Sequence, residues 1–202
     1  MPVDAKIYAR LVDCATISPG FPFRGAVDLL PEGEVSVIQM RNVGDAQGVD
    51  WTALTKIDLP TKRKPDLLVP GDVILTTRGR RNFALVLTTV PYPAVCSPHF
   101  FVIRVRQPQI IMPEFLAWQI NQKAAQEHMQ QSATGSYILN LTRSAVESVP
   151  ISIPPIPTQA AVVAVANTAQ REVSVLQALI DNQRSLIEVV ATKILNPERP
   201  SA

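Results

Sequence analysis

Thr158 to Asn196 is a run of 39 residues with neither proline nor glycine, and four prolines, Pro150, Pro154, Pro155 and Pro157, crowd just ahead of it. Helix interiors exclude proline and are weakened by glycine. The run therefore reads as one long helix, ~59 Å from end to end at 1.5 Å per residue. Within it Val162, Ala166, Ala169, Val173, Leu176, Ile180, Gln183, Ile187, Val190 and Ile194 recur at alternating spacings of four and three, and nine of these ten are apolar. Such a seam is the heptad pattern of a coiled coil. Leu179 and Leu186 widen it on one flank. A lone helix with this stripe leaves apolar surface in water and gains little from propensity. A partner helix is expected, in another copy of the chain or in another protein. Gln183 interrupts the seam, either as a solvated kink or as a polar residue that fixes pairing register at some cost in stability. The prolines force extended backbone and withdraw donors, so the helix cannot extend back through them. Pro157 or Thr158 suits its first turn. The proline stretch is a stiff joint between a globular head and a rod.

The head follows a different grammar. All eight glycines and twelve of the eighteen prolines precede residue 150. Glu34–Met40, Leu67–Thr77, Phe83–Val90 and His99–Val105 read as short strands, the second entered through a Pro-Gly-Asp turn. Met112–Gln131 reads as a helix, with Pro113 in its first turn, Gly135 just past its end, and Phe115, Leu116, Ile120 and Ala124 near one face. The fold class is α/β (α+β): a mixed, mainly antiparallel sheet domain over residues 1–156, one long coiled-coil-type helix over 157–196, and a flexible tail over 197–202. A hydrophobic content of 47% suffices for a packed core. No apolar run approaches the ~20 residues that span a bilayer, and the first residues, with Asp4 and Asp13, lack the apolar core of a signal peptide. Cys14 and Cys96 are too few for a disulfide framework or a zinc site. Both are expected to be free thiols in a reducing cytoplasm.

A net charge of +2 points to no partner. Its distribution does: residues 61–106 hold eight Lys/Arg against two Asp/Glu, while residues 1–60 hold five against eight. The cationic window is a candidate footprint for a polyanion.

Several stretches then line up in order with a known family. Pro70–Gly79, "PGDVILTTRG", resembles the glycine-aspartate strand of target recognition domains in type I restriction–modification specificity subunits. Phe115–Gln122, "FLAWQINQ", is similar to their following helix. Ala133–Gln159, "ATGSYILNLTRSAVESVPISIPPIPTQ", resembles their glycine-serine loop, the short element after it, and their proline-rich exit. That exit usually reads Pro-Pro-Leu, one variable residue, Glu, Gln; here it is Pro154-Pro155-Ile156-Pro157-Thr158-Gln159, with threonine at the acidic position. "RLVDCATISPGFPFRG" and Val35–Val43 resemble the family's opening strands. The resemblance implies a subunit without chemistry of its own. Its recognition domain would read a half-site in duplex DNA, its helix would dock DNA methyltransferase subunits, and the assembly would recruit a translocating restriction subunit. Full subunits carry two recognition domains and two spacer helices. One of each here, with no internal repeat, implies a half-subunit that forms a homodimer or pairs with a second half-subunit and reads a bipartite site.

In that light "TTRGRRN", Thr76–Asn82, is the first candidate for DNA contact. Arginine clasps guanine through two hydrogen bonds and asparagine does the same for adenine, so Thr77, Arg78, Arg80, Arg81 and Asn82 are singled out; the bland reading is a solvated hairpin tip. Lys62, Arg63 and Lys64 suit a phosphate clamp or a solubility patch. Arg104 and Arg106 alternate on a strand, as a second DNA-facing row or a wet sheet face. Ser136, Tyr137, Asn140 and Arg143 follow Gly135 in a polar loop; Tyr137 could equally be core. Arg41 and Asn42 end a strand and complete the set. His99 and His128 read as surface or packing residues, and Trp51 and Trp118 as core anchors. No glycine-rich loop or catalytic Asn-Pro-Pro-Tyr-type stretch is present, so neither an enzyme nor a cofactor is expected. The competing class is a pure assembly module, in which the helix carries the function and the head is passive.

Overall fold

The computed structural model of the protein describes residues 7–23, 33–44, 48–58, 65–78, 82–131 and 140–195. It divides into two compact units, Met1–Val163 and Ala164–Ala202.

The first unit opens with β1 (Ile7–Arg10), a single turn α1 (Leu11–Cys14) and β2 (Ala15–Pro19). Next come β3 (Val35–Ile38), β4 (Val43–Gly44), β5 (Gly48–Val49), β6 (Thr55–Ile57), β7 (Val73–Thr76), β8 (Ala84–Val86), β9 (Ala94–Cys96) and β10 (Phe100–Val105). Helices α2 (Pro113–Ile120), α3 (Lys123–Gln131) and α4 (Arg143–Glu147) follow, then β11 (Pro150–Ile153) and α5 (Ile156–Leu195). A four-stranded antiparallel sheet runs β2-β10-β7-β8, and a three-stranded sheet runs β6-β3-β9, with β3 and β9 parallel. The fold is mixed α/β with mainly antiparallel pairing, followed by one long helix, the class that the two grammars predict.

The four-stranded sheet is covered on both faces. Val73, Leu75, Phe101, Ile103 and Val105 join Leu11, Ile17, Phe115, Leu116, Ile120, Met129 and Ile151 in the larger core. Ile74 and Phe100, of opposite parity, join Ile38, Leu68, Leu87, Ala94 and Cys96 on the other side. Double coverage buries all four positions of β7, the first three of them apolar. Gly20 permits the closest approach in this region: a Cβ there would lie 1.9 Å from the Ser97 carbonyl oxygen. Cys96 is buried and Cys14 half-buried, both free, and burial pushes each thiol above its ordinary range. Trp51 packs against the second core and meets Tyr92 edge-on, and Trp118 stacks on Phe115.

The helix expected over Met112–Gln131 is two helices. Asn121 ends α2, and its amide clasps β8, with Oδ1 accepting from Ala84 N at 2.7 Å and Nδ2 donating to Ala84 O at 2.8 Å. That two-point clasp satisfies a sheet edge, which a continued helix would leave bare. The strand expected over Phe83–Val90 is correspondingly short. The stretch just ahead of the proline-rich exit is strand: β11 pairs antiparallel with β1, and Pro150 sits at its first position opposite Arg10.

Helix α5 starts at Ile156, with the amides of Thr158 and Gln159 donating to Pro155 O at 2.9 and 3.1 Å. Gln159 is fully buried. Its Nε2 donates to Ile110 O at 2.8 Å and Pro154 O at 2.7 Å, and its Oε1 accepts from Met112 N at 2.9 Å. Val162 and Val163 pack against the larger core, so the first residue read into the heptad seam belongs to the head's packing instead.

In the second unit the helix runs uninterrupted to Leu195, through Gln183 without a break. Thr168, Ser174 and Thr192 return their hydroxyls to the carbonyls of Ala164, Gln170 and Glu188. Along it Val173, Leu176, Leu179, Ile180, Leu186, Ile187, Val190 and Ile194 are all exposed, by between 45% and 70%. This is an apolar stripe much longer than the isolated exposed residues of an ordinary surface.

Candidate nucleic-acid interface

The site is built on the loop joining β7 to β8. Its two ends are fastened to each other: Thr76 N donates to Phe83 O at 3.0 Å, Phe83 N to Thr76 Oγ1 at 2.9 Å, and Asn82 Nδ2 to Thr76 O at 2.8 Å. Thr77 is fastened to two other segments, donating its amide to His99 O at 2.9 Å and accepting from Leu141 N at 3.1 Å. Thr77 and Asn82 are both buried. They set the loop's base rather than face outward, which differs from the contact roles the loop sequence implies for them.

Arg78 is the first outward residue. It is exposed, and its Nε donates to Oδ1 of Asn140 at 3.3 Å across 62 residues of sequence. Arg78 and Asn140, far apart in sequence, are therefore neighbours. Arg143 opens α4 beside them in sequence; Thr142 caps that turn by accepting from Ala145 N at 3.2 Å, and the exposed Arg143 guanidinium pairs with Glu147 at 2.7 Å. Arg80, Arg81, Lys62, Arg63, Lys64, Ser136 and Tyr137 lie outside the described residues.

Arg104 is placed differently from the expectation of an open row. Its Nε and Nη2 form a two-pronged pair with Asp72 at 2.7 and 2.8 Å, Nη1 reaches Asp66 at 3.0 Å, and Nη2 also reaches Leu67 O at 3.1 Å. The Asp72 side chain is 0% exposed and also accepts from Val69 N at 2.9 Å. The hydrogen bond it donates to Asp72 leads in holding the Arg104 guanidinium above its ordinary range. The pair staples the Pro70–Gly71 turn, where Gly71 has φ 91°, to β10. Arg106 falls beyond the end of β10 and donates through Nη1 to the carbonyls of Val12 and Asp13 at 2.8 and 3.2 Å. Arg41 donates to Thr55 Oγ1 at 3.0 Å, and buried Asn42 donates to Ala53 O at 3.0 Å. His128 meets the Ser148 hydroxyl at 2.9 Å.

Sequence reading missed a set of amide clamps: Asn121 on Ala84, Gln159 on Met112, Ile110 and Pro154, and Gln119, whose amide both donates to and accepts from the Ser152 backbone at 2.9 Å. The available signal was amide side chains on or beside apolar helix faces. Among the described residues no helix is long and apolar enough to cross a membrane, and no group of three His, Cys, Asp or Glu gathers where it would hold a metal.

A family model described as "Type I restriction modification DNA specificity domain" matches residues 9–188. Curated proteins yield no match. Among solved structures, the S subunit of a type I restriction-modification system from M. genitalium aligns over 98% of this chain at 14% identity, with a TM-score of 0.60. The HsdS subunit from Thermoanaerobacter tengcongensis aligns over 99% at 18% identity, with a TM-score of 0.60. A third, from work on complex assembly and conformational transition of the type I R-M system, aligns over 97% at 16% identity, with a TM-score of 0.67. The chain spans about half of each, 48%, 51% and 46% respectively.

Proposed function

The chain belongs to the family of type I restriction modification DNA specificity domains, and from that premise we propose that it is a non-catalytic subunit that reads a DNA half-site through its head. Helix α5 sets the distance to a second reader and docks methyltransferase subunits, to which a restriction and translocation subunit is added. The observation that carries the reading is the fastened β7–β8 loop, which presents Arg78 beside Asn140 and continues into Arg80 and Arg81. A fastened base that leads into a cationic run suits the major groove, where arginine and asparagine donors find base edges and phosphates together. Arg104 is left out of the reader because the fold uses its donors, and Arg106 because one end of its guanidinium is tied to the Val12 and Asp13 carbonyls. The exposed stripe of α5 supports a second copy of this chain as its partner, since an identical apolar face is the complement a two-fold pair requires.

Electrophoretic titration against a random duplex library tests the reading. The unaltered protein is expected to enrich a defined sequence, and its affinity to fall steeply with salt. Arg80→Ala with Arg81→Ala should weaken binding on the order of tenfold and flatten the salt dependence by about one phosphate contact for each arginine that holds a phosphate. Failure to enrich any site, with a methyltransferase partner present as well as without it, would leave assembly through α5 as the function.

A further inference from the structure

We propose that Arg78, held by Asn140, selects a guanine in the half-site, an inference that rests on the DNA-reading function proposed above. A guanidinium offers paired donors in two ways: sideways, through Nε and one terminal nitrogen, or end-on, through both terminal nitrogens. Here Nε donates to Asn140 Oδ1 at 3.3 Å, and among the described residues the end-on fork of this exposed arginine meets no partner. That fork carries donors only. Guanine alone presents two acceptors, N7 and O6, side by side in the major groove. Adenine sets its N6 amino donor where the second acceptor is needed, cytosine presents a donor, and thymine presents one acceptor beside a methyl group.

Asn140 changes role in the same contact. An asparagine reads adenine by donating to N7 and accepting from N6, and the accepting oxygen is here turned to the Arg78 guanidinium, with one of its two lone pairs engaged there. Two side chains that would separately suit guanine and adenine thus combine into one guanine reader. The backbone supports it. Arg78 follows directly on Thr77, whose amide and carbonyl are both bonded, to His99 and Leu141. Leu141 in turn directly follows Asn140. A side chain held this close to fixed backbone loses less freedom on binding, so more of its contact energy appears as discrimination.

The test selects sites from a random duplex library with the full chain and with Arg78→Lys, and then replaces each selected guanine by 7-deazaguanine, which lacks the N7 acceptor. Lysine keeps the charge and loses the fork. The unaltered protein should fix one guanine per half-site that Arg78→Lys leaves mixed. 7-Deazaguanine at that position should cost the unaltered protein about tenfold in affinity and the variant little. Non-specific binding should be equal for both. Asn140→Ala should relax that position and no other. If both proteins enrich one site with identical preferences at every position, Arg78 reads no base and the inference fails while the DNA-reading function stands. If neither enriches any site, the DNA-reading function falls and the inference falls with it.

Discussion

The double substitution Leu176→Asp, Ile180→Asp is expected to leave the protein as single chains at concentrations where the unaltered protein pairs. Both side chains lie mid-stripe on α5, exposed by 59% and 45% in the single chain. Pairing would bury them in both copies. These side chains are already about half covered, so burying the rest contributes about 1 kcal/mol each, on the order of 4 kcal/mol for the four, or about three orders of magnitude in the dissociation constant. Burying carboxylates in their place adds a further penalty. The head should be untouched, because its cores are built from residues up to Val163. Light scattering reads the outcome directly. An unchanged mass for the variant would mean that the stripe is not the pairing surface.

Arg104→Ala is expected to destabilise the head by about 3–4 kcal/mol, a large part of the 5–15 kcal/mol that holds a typical domain together. The loss comes chiefly from the partner left behind. The Asp72 carboxylate is 0% exposed, and without Arg104 it keeps, among the described residues, only the Val69 amide as a donor. The arm to Asp66 contributes little, because that carboxylate is 67% exposed. Arg104→Met combined with Asp72→Asn removes both charges and should recover at least about 1 kcal/mol of the loss, since a missing pair costs less than a broken one. Denaturant unfolding measures both. A loss below about 1 kcal/mol for Arg104→Ala would mean that water solvates Asp72 in the folded protein.

The long helix was legible because absences and spacing agree: no proline or glycine over 39 residues, and a seam at fours and threes. The fold class was legible from turn residues and β-branched runs. Strand limits were not, because a sheet covered on both faces loses the alternation that marks an edge between wet and dry. The break at Asn121 depends on a partner 37 residues away. Arg104 read as an open cation because its counter-charges stand 32 and 38 residues upstream. The arginine loop and the Asn140 segment were each picked out separately. Their adjacency follows from the Leu141–Thr77 backbone bond, which no local pattern announces.

In the proposed function the head reads and the helix spaces. The most direct measurement uses duplex carrying the selected half-site as an inverted repeat, with and without five base pairs added between the halves. Half a helical turn carries one half-site to the opposite side of the duplex. The unaltered protein should bind the lengthened duplex about tenfold or more weakly, whereas the Leu176→Asp, Ile180→Asp variant should bind both duplexes alike. Equal affinity of the unaltered protein for the two spacings would contradict the account.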